Sequence, residues 1–476
     1  MSAYYLAIDQ GGHASRAIVF DAAGNPVSQA EQSIQTHTPR VGWVEHDAAA
    51  LVQATRAAIH RALAPLGDNK RHIQAAGLAT QRASIACWHK TSGAALAPIL
   101  SWQDRRHAQW LERLHAHSET IHAKTGLFLS PHYGASKMRW CLDNLDEVKH
   151  ARQQGQLVIG PLASFLAWQL VKQRPLLADP ANASRTLLWN LQRGDWDDDL
   201  LELFGIPKAI LPPCVASRAA VGQLDIDALS IPLEVITGDQ SAALFAWGRP
   251  QAEACYINVG TGAFVQRAMN TLPNAKRLLS GIAYQDDSQT WFTLEGTVNG
   301  AARALQWYGE KHGITNIEQC VTEALASAAI PALFINTVVG LGSPDWHSQL
   351  EPRFVGSHNR AAQLLGIVES IVFLIQRNLD EMRHCTAAAQ HIIISGGLAK
   401  LDRLCQSLAD LSKRPVKRPP LHEATASGLA YLVAQPSGKW CAGEGSRTFL
   451  PHTHAALEQR YSDWSRELQR SIADKA

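Results

Sequence analysis

The chain has no C-x-x-C pair among its eight cysteines, no block of like charge and no apolar run of membrane-spanning length. Each absence removes a class of protein. Without closely paired cysteines neither a zinc cage nor a disulfide framework is indicated, and a reducing compartment suits the thiols. With 44 Lys and Arg against 42 Asp and Glu, the formal charge of +2 gives nucleic acid or an anionic membrane nothing to hold. The first apolar β-type run begins within a few residues of Met1, which leaves no secretory leader, so a cytoplasmic protein is expected. What the chain does have is size. Its 476 residues, 46% of them apolar, exceed what one core supports, and two domains are expected, 1–247 and 248–476.

Two stretches share one plan. From Tyr4 to Asp21 an apolar run ends at Asp9, turns through Gly11, Gly12 and His13, and returns as a second run beyond Arg16. From Cys255 to Val265 the same plan recurs around Gly260, Thr261 and Gly262. Glycines let backbone N–H groups approach an anion, Asp9 suits a hydrated cation, and Arg16 adds positive charge, so each turn reads as a phosphate cradle. Two such hairpins, one opening each half, predict two similar domains that grip one nucleotide, the layout of a kinase or ATPase.

Between the hairpins the pattern predicts a helix from Ala48 to about Leu66 capped by Asp47 and strands at Ile73 to Thr80 and Ser84 to His89, with Gln81-Arg82 between them facing either a cleft or, equally, the surface as a loop. The segment with His107, His115, His117 and His122 lacks the spacing of a zinc helix and reads as a solvated face. Asp179 to Asn190 is polar enough to predict a cleft-lining loop. Leu233 to Gly238 is a β-run that delivers Asp239 to the start of an apolar helix, the strongest catalytic candidate on chemistry alone, with helix capping as the plainer alternative. In the second half a strand is expected over Pro331 to Val339 and a long core helix over Asn359 to Cys385. His391 to Ser395 runs into Gly396-Gly397 and a helix start, bare backbone on which a base and ribose can lie. The tail from Gly438 reads as peripheral.

Taken together, these residues resemble the FGGY carbohydrate kinases over nearly the whole chain. The likeness rests on Asp9-Gln-Gly with Arg16, Gly42-Trp-Val-Glu-His-Asp47, Gln81-Arg82, Trp102-Gln103 with Arg105-Arg106, and Asn182-Ala-Ser-Arg-Thr186. It continues through Gly238-Asp-Gln-Ser-Ala-Ala-Leu244, Gly260-Thr-Gly262, Leu294-Glu-Gly296, Gln306-Trp307 and Gly340-Leu-Gly-Ser-Pro344. The resemblance implies an α/β fold of two duplicated ribonuclease H-like domains, of the actin, hexokinase and Hsp70 ATPase type, with mixed sheets around a nucleotide cleft. It implies ATP and Mg2+ as cofactors, and transfer of phosphate to a hydroxyl of a small sugar or polyol. Asp239 would be the general base, and Arg82, Trp102, His132, Asp239 and Gln240 would meet the substrate. Gly11, Gly12, His13, Arg16, Gly260, Thr261, Gly262, Gln306, Gly396 and Gly397 would meet the nucleotide, and Asp9 the metal. Nucleic acid and membrane are not expected partners, and the oligomeric state stays open, a homodimer being one arrangement.

Departures from the family pattern fall at the site. Relatives that phosphorylate glycerol carry Thr-Thr at Gly12-His13, Glu at Ala83, Tyr at His132, Gly at Ala302 and Asn at Leu401. Losing the carboxylate at 83 removes acceptors for two hydroxyls, so a sugar or polyol other than glycerol is expected. A second class stays open: a ligand-binding or regulatory protein on the same scaffold that transfers phosphate slowly or never. The intact Asp239 favours the kinase.

Overall fold

The computed structural model describes residues 3–226, 229–356, 359–420, 423–436, 440 and 445–474. It is built on two mixed sheets of one plan. The first runs in the order Arg218–Gln223, Pro232–Gly238, Ile73–Thr80, Tyr4–Gln10, Ala14–Asp21, Pro26–Ser33. Its opening hairpin pairs Asp9 with Arg16, and Tyr4–Gln10 and Pro232–Gly238 both run parallel to Ile73–Thr80. Gln10 and Gly238 are both in register with Thr80, so three strands end at one edge and launch their following residues from it. The second sheet runs Leu279–Gln285, Thr290–Val298, Ala263–Met269, Ala254–Val259, His391–Ser395, Val416–Arg418, Arg447–Phe449. Again a hairpin has antiparallel strands on one side and parallel ones on the other, and Asn258 is in register with Ser395. The paired hairpins expected from the sequence are therefore both present.

Alternating burial follows the pleat. In the first sheet Leu6, Ile8 and Val19 pack with Leu51, Ala58 and Ile59 of the helix Ala48–Leu63, whose first turn is capped by Asp47 accepting from the Ala50 N–H at 2.7 Å. Ala7, Ile18 and Phe20 face the other way, into an apolar layer shared with Tyr256, Ala268 and Ile393 of the second sheet. The helix Ala424–Ala434 lies in that layer and contributes Leu429 and Val433, each such burial stabilising by roughly 1.5–3 kcal/mol. Its Gly428 sits so close to the helix Asp239–Ala243 that a Cβ would come within 1.8 Å of the Ala242 carbonyl oxygen. Beyond the second sheet, the helix Arg360–Met382 is buried along most of its length. Among the described residues it is the one helix long and apolar enough to cross a membrane, and here it is core.

A smaller sheet of Glu45–His46, Ile99–Leu100, Ile85–His89 and Leu157–Pro161 forms a wall above the edge where the three strands end. It is backed by Trp189, Trp196 and Phe204.

Several expectations need correction. Asp179 to Asn190, expected as a cleft-lining loop, includes the short helix Pro180–Ala183, and Asp179, Asn182, Ser184, Arg185 and Thr186 are all buried. Most of their polar groups are satisfied on the spot, Asp179 accepting from Asn182 N at 3.0 Å, Ser184 Oγ donating to the Ala181 carbonyl at 3.1 Å, and Thr186 Oγ1 donating to Ala183 at 2.7 Å, while Arg185 pairs with the distant Glu295, which makes burial tolerable. The histidine segment breaks into the short helices Ala108–Leu111 and Ser118–Thr125 around a 3-10 turn, and only His115 and His117 are fully solvated. His107 stacks on Trp110 and His122 on Phe128. The strand expected over Pro331 to Val339 shrinks to Leu333–Ile335. The tail is less peripheral than expected, because the helix Ala455–Ala473 buries Trp464 and Leu468 in the second core and Trp464 Nε1 donates to the Phe334 carbonyl at 2.8 Å. Gly438, where the tail reading began, lies outside the described residues.

Candidate active site

Register brings three functional segments to one edge. Asp9 is the last residue but one of its strand, Arg82 follows the end of the next, and Asp239 follows Gly238 at the end of the third. Asp9 is buried, and no hydrogen bond from a described residue reaches its oxygens; Arg16 lies 3.9 Å away but is held more closely by Glu31, at 2.6 Å. Burial, and then the charge of Asp239, push the Asp9 carboxyl up to about 7 against the pull of Arg16. A buried, underpartnered carboxylate facing another fits a hydrated divalent cation, since Mg2+ characteristically takes one or two carboxylates and keeps its waters for phosphate oxygens.

Asp239 opens the helix Asp239–Ala243, accepts from the Gln240 N–H at 2.7 Å and lies 3.8 Å from Arg82 Nε. Burial raises its carboxyl above the ordinary range, with Arg82 working against that. The Arg82 side chain is only 9% exposed, and its Nη1 has no hydrogen-bond partner among the described residues. Between strand end and arginine, Gln81 ties the edge together, its N–H donating to the Gln10 carbonyl at 2.8 Å and its amide oxygen accepting from Ser84 at 3.1 Å.

Above this edge Trp102 is 39% exposed, unusual for so large an apolar side chain, and its ring faces His132 at 6.2 Å. Arg105 donates to His132 Nε2 at 2.9 Å, so that nitrogen is the acceptor and Nδ1 carries the proton donated to the Trp102 carbonyl at 3.2 Å. Burial, then Arg105 and Lys137, lower the imidazole to about 4 and keep it neutral. Ala83, where a carboxylate was expected from the family pattern, adopts φ 63°, the left-handed region. Gln240 is half-buried beside Asp239.

At the two glycine turns expected to meet the nucleotide, Gly11, Gly12 and His13 form the first, closed by Gly11 N–H donating to Ala14 at 3.0 Å, with His13 exposed. In the second turn Gly260 N–H donates to Gly262 at 2.8 Å, while the carbonyls of Gly260 and Thr261 accept from Ala302 and Arg303 at 3.0 and 3.1 Å, securing the start of the helix Ala302–His312. The Thr261 side chain faces solvent. Gly396 has φ 95° and approaches Val259 closely enough that a Cβ would meet its carbonyl oxygen at 2.6 Å, which seats Gly396-Gly397 beside the second turn. Gln306 is exposed one turn into its helix and makes no hydrogen bond with the other site residues among those described.

Residues quoted above only inside motifs, with no role given to them, join the candidate site. Glu295, in the strand Thr290–Val298, receives Arg185 at 3.1 and 2.9 Å, Arg82 at 3.3 Å and Gln266 at 2.7 Å. Burial works to raise its carboxyl, but Arg185, Arg82 and Gln266 outweigh that and hold it at about 2. Tyr133 lies near Arg185, and burial lifts its phenol to about 12. A lone carboxylate inside the apolar run Trp291 to Gly296 was the available signal for Glu295.

Residues 4–246 match the N-terminal domain, and residues 255–435 the C-terminal domain, of the FGGY family of carbohydrate kinases. A protein named glycerol kinase from Ectopseudomonas mendocina is 34% identical over 98% of this chain and 97% of its own, and one of the same name from Acinetobacter baylyi is 33% identical over 98% and 99%. Among solved structures, a Plasmodium falciparum glycerol kinase with ADP superposes with a TM-score of 0.89 at 21% identity, covering 99% of this chain and 98% of its own. A xylulose kinase from Rhodospirillum rubrum gives 0.85 at 19%, covering 99% and 98%. The two sheet-rich halves thus have the actin- and hexokinase-like ATPase fold that these structures share. By sequence over nearly its full length, the chain belongs to the FGGY family of carbohydrate kinases.

Proposed function

We propose that the protein transfers the γ-phosphate of ATP to a hydroxyl of a ketose or polyol other than glycerol, with Asp239 as general base. The observation that carries this is the convergence of Asp9, Arg82 and Asp239 at the edge where three strands end. Phosphoryl transfer asks for positioning and charge neutralisation more than for covalent help. Asp239, with its carboxyl raised and its helix N–H groups behind it, takes the proton of the attacking hydroxyl. Arg82 orients that hydroxyl through its unpartnered Nη1, and the Trp102 and His132 rings cover the carbon chain and exclude water. Gln240 lies beside the base.

A magnesium ion bound with ATP would neutralise phosphate charge, and Asp9 is the residue to hold it. The turns at Gly11, Gly12 and His13 with Arg16, and at Gly260, Thr261 and Gly262, offer N–H groups and a hydroxyl to the phosphates. Gln306, Gly396 and Gly397 flank the base and ribose. In this reading 1–247 and 248–476 are the two lobes, the first holding most of the acceptor and the second most of the nucleotide.

Exclusion of glycerol is supported by Ala83, which offers a methyl where two hydroxyls would need an acceptor, and by His132, whose ring nitrogens are already engaged by Arg105 and Trp102. The test is ATP-dependent phosphate transfer across glycerol, tetruloses, pentuloses and longer polyols, read as kcat/KM. A ketose or longer polyol should rank first. If glycerol ranks first the exclusion fails, and if no acceptor is phosphorylated the kinase reading yields to a ligand-binding protein on this scaffold.

A further inference from the structure

We propose that Glu295 is the positioning residue that aims Arg82 at the acceptor and, being carried by the second half of the chain, the latch that completes the acceptor site only when the halves are together. This rests on the kinase reading above. Arg82 is a long side chain whose head has few restraints: Asp239 stands 3.8 Å from Nε, beyond hydrogen-bond reach, and Nη1 has no partner. Glu295 Oε2, 3.3 Å from Nη2, is the contact that keeps the guanidinium from swinging onto Asp239, where it would pair with the base and withdraw Nη1 from the acceptor.

Glu295 is itself buried and held from several sides. Arg185 grips both its oxygens in a fork, and Gln266 donates at 2.7 Å to the same oxygen that receives Arg82. The division of labour follows the chain. Arg82, Arg185, Tyr133 and Asp239 come from the first half, and Glu295 and Gln266 from adjacent, paired strands of the second. Separation of the halves therefore takes the carboxylate from both arginines at once. A buried charge cluster is a weak device for stability alone, because desolvation offsets much of its attraction, whereas it fixes geometry well.

The test compares wild type with Glu295→Gln and Gln266→Leu. Glu295→Gln should raise KM for the sugar and lower kcat, each about tenfold, while KM for ATP stays within about twofold. Gln266→Leu should move the sugar KM the same way by a smaller factor, and it carries the kinetic test if Glu295→Gln does not fold. A fall in melting temperature with sugar KM and kcat unchanged, or equal losses for sugar and ATP, would overturn the proposal. Amide exchange in the ligand-free protein reads the latch without turnover: exchange at 81–84 should quicken in the variants, and unchanged exchange there overturns the latch. If wild type phosphorylates no acceptor, the kinase reading fails while the exchange experiment still decides the role of Glu295.

Discussion

A Cβ on residue 238 would lie 2.4 Å from Cγ of Arg82, so the stem of the arginine occupies the space that Gly238 leaves open at the foot of Asp239. The glycine before the catalytic candidate thus serves the arginine opposite it.

Gly238→Ala should displace the Arg82 stem and misplace its head by more than the reaction tolerates. The expected outcome is a fall of about a hundredfold in kcat/KM for the sugar, with the protein still folded, because ångström-scale misplacement weighs more on rate than on stability. Steady-state kinetics beside a melting curve check it, and near wild-type kinetics would remove Arg82 from the acceptor site.

Asp239→Asn keeps the shape of the side chain and loses the base. The kcat should fall by roughly two to four orders of magnitude while the affinity for ATP, measured by titration, stays close to wild type. Ordinary turnover in this variant would mean that another group accepts the proton.

The His132 imidazole, lowered from 6.5 to about 4, titrates below its unfolded-state value. Between those two values the unfolded chain binds the proton that the native one refuses, so stability falls as pH is lowered from 6.5 toward 4 and is unaffected by this group above 6.5. In His132→Gln that loss should vanish, so the difference in melting temperature between variant and wild type should change across this window. Glu295, lowered from 4.5 to about 2, contributes stability above 4.5 that is lost only below that, in a separate window. A difference that stays constant from pH 8 to pH 4 would place His132 in a far wetter setting than the structure gives it.

Ala83→Glu should raise kcat/KM for glycerol relative to the preferred acceptor by about tenfold or more, since a buried acceptor changes specificity through the hydrogen bonds it completes. Both residues carry a Cβ at φ 63°, so the backbone cost is the same in each and the melting temperature should move little. An unchanged ranking of acceptors would detach residue 83 from specificity.

Local pattern revealed the elements and half of the site. The two glycine turns, the strand ending at Gly238 and the exposed Trp102 each announced themselves in a few consecutive residues. Glu295 and Arg185 stood inside quoted motifs without a role, because their meaning lies in a pairing 110 residues apart that only folding brings to 2.9–3.1 Å. The polar run from Asp179 misled for a related reason. Its side chains close hydrogen bonds on their own backbone and on a distant carboxylate, and composition alone cannot tell such satisfied groups from solvated ones. Trp464 was hidden similarly, a single apolar ring in a charged helix whose socket is made by Phe334 and Phe373.

The helix Ala424–Ala434 also sets the order in which the molecule can come into being. It covers one face of a sheet whose first strand is Tyr4–Gln10, so roughly four hundred residues separate partners that must touch. During synthesis from the N-terminus, at about 5–20 residues per second, that face waits bare for on the order of half a minute. Folding should therefore be slow and prone to off-pathway association, and the first half expressed by itself should seek a substitute for Leu429 and Val433 in other copies of itself.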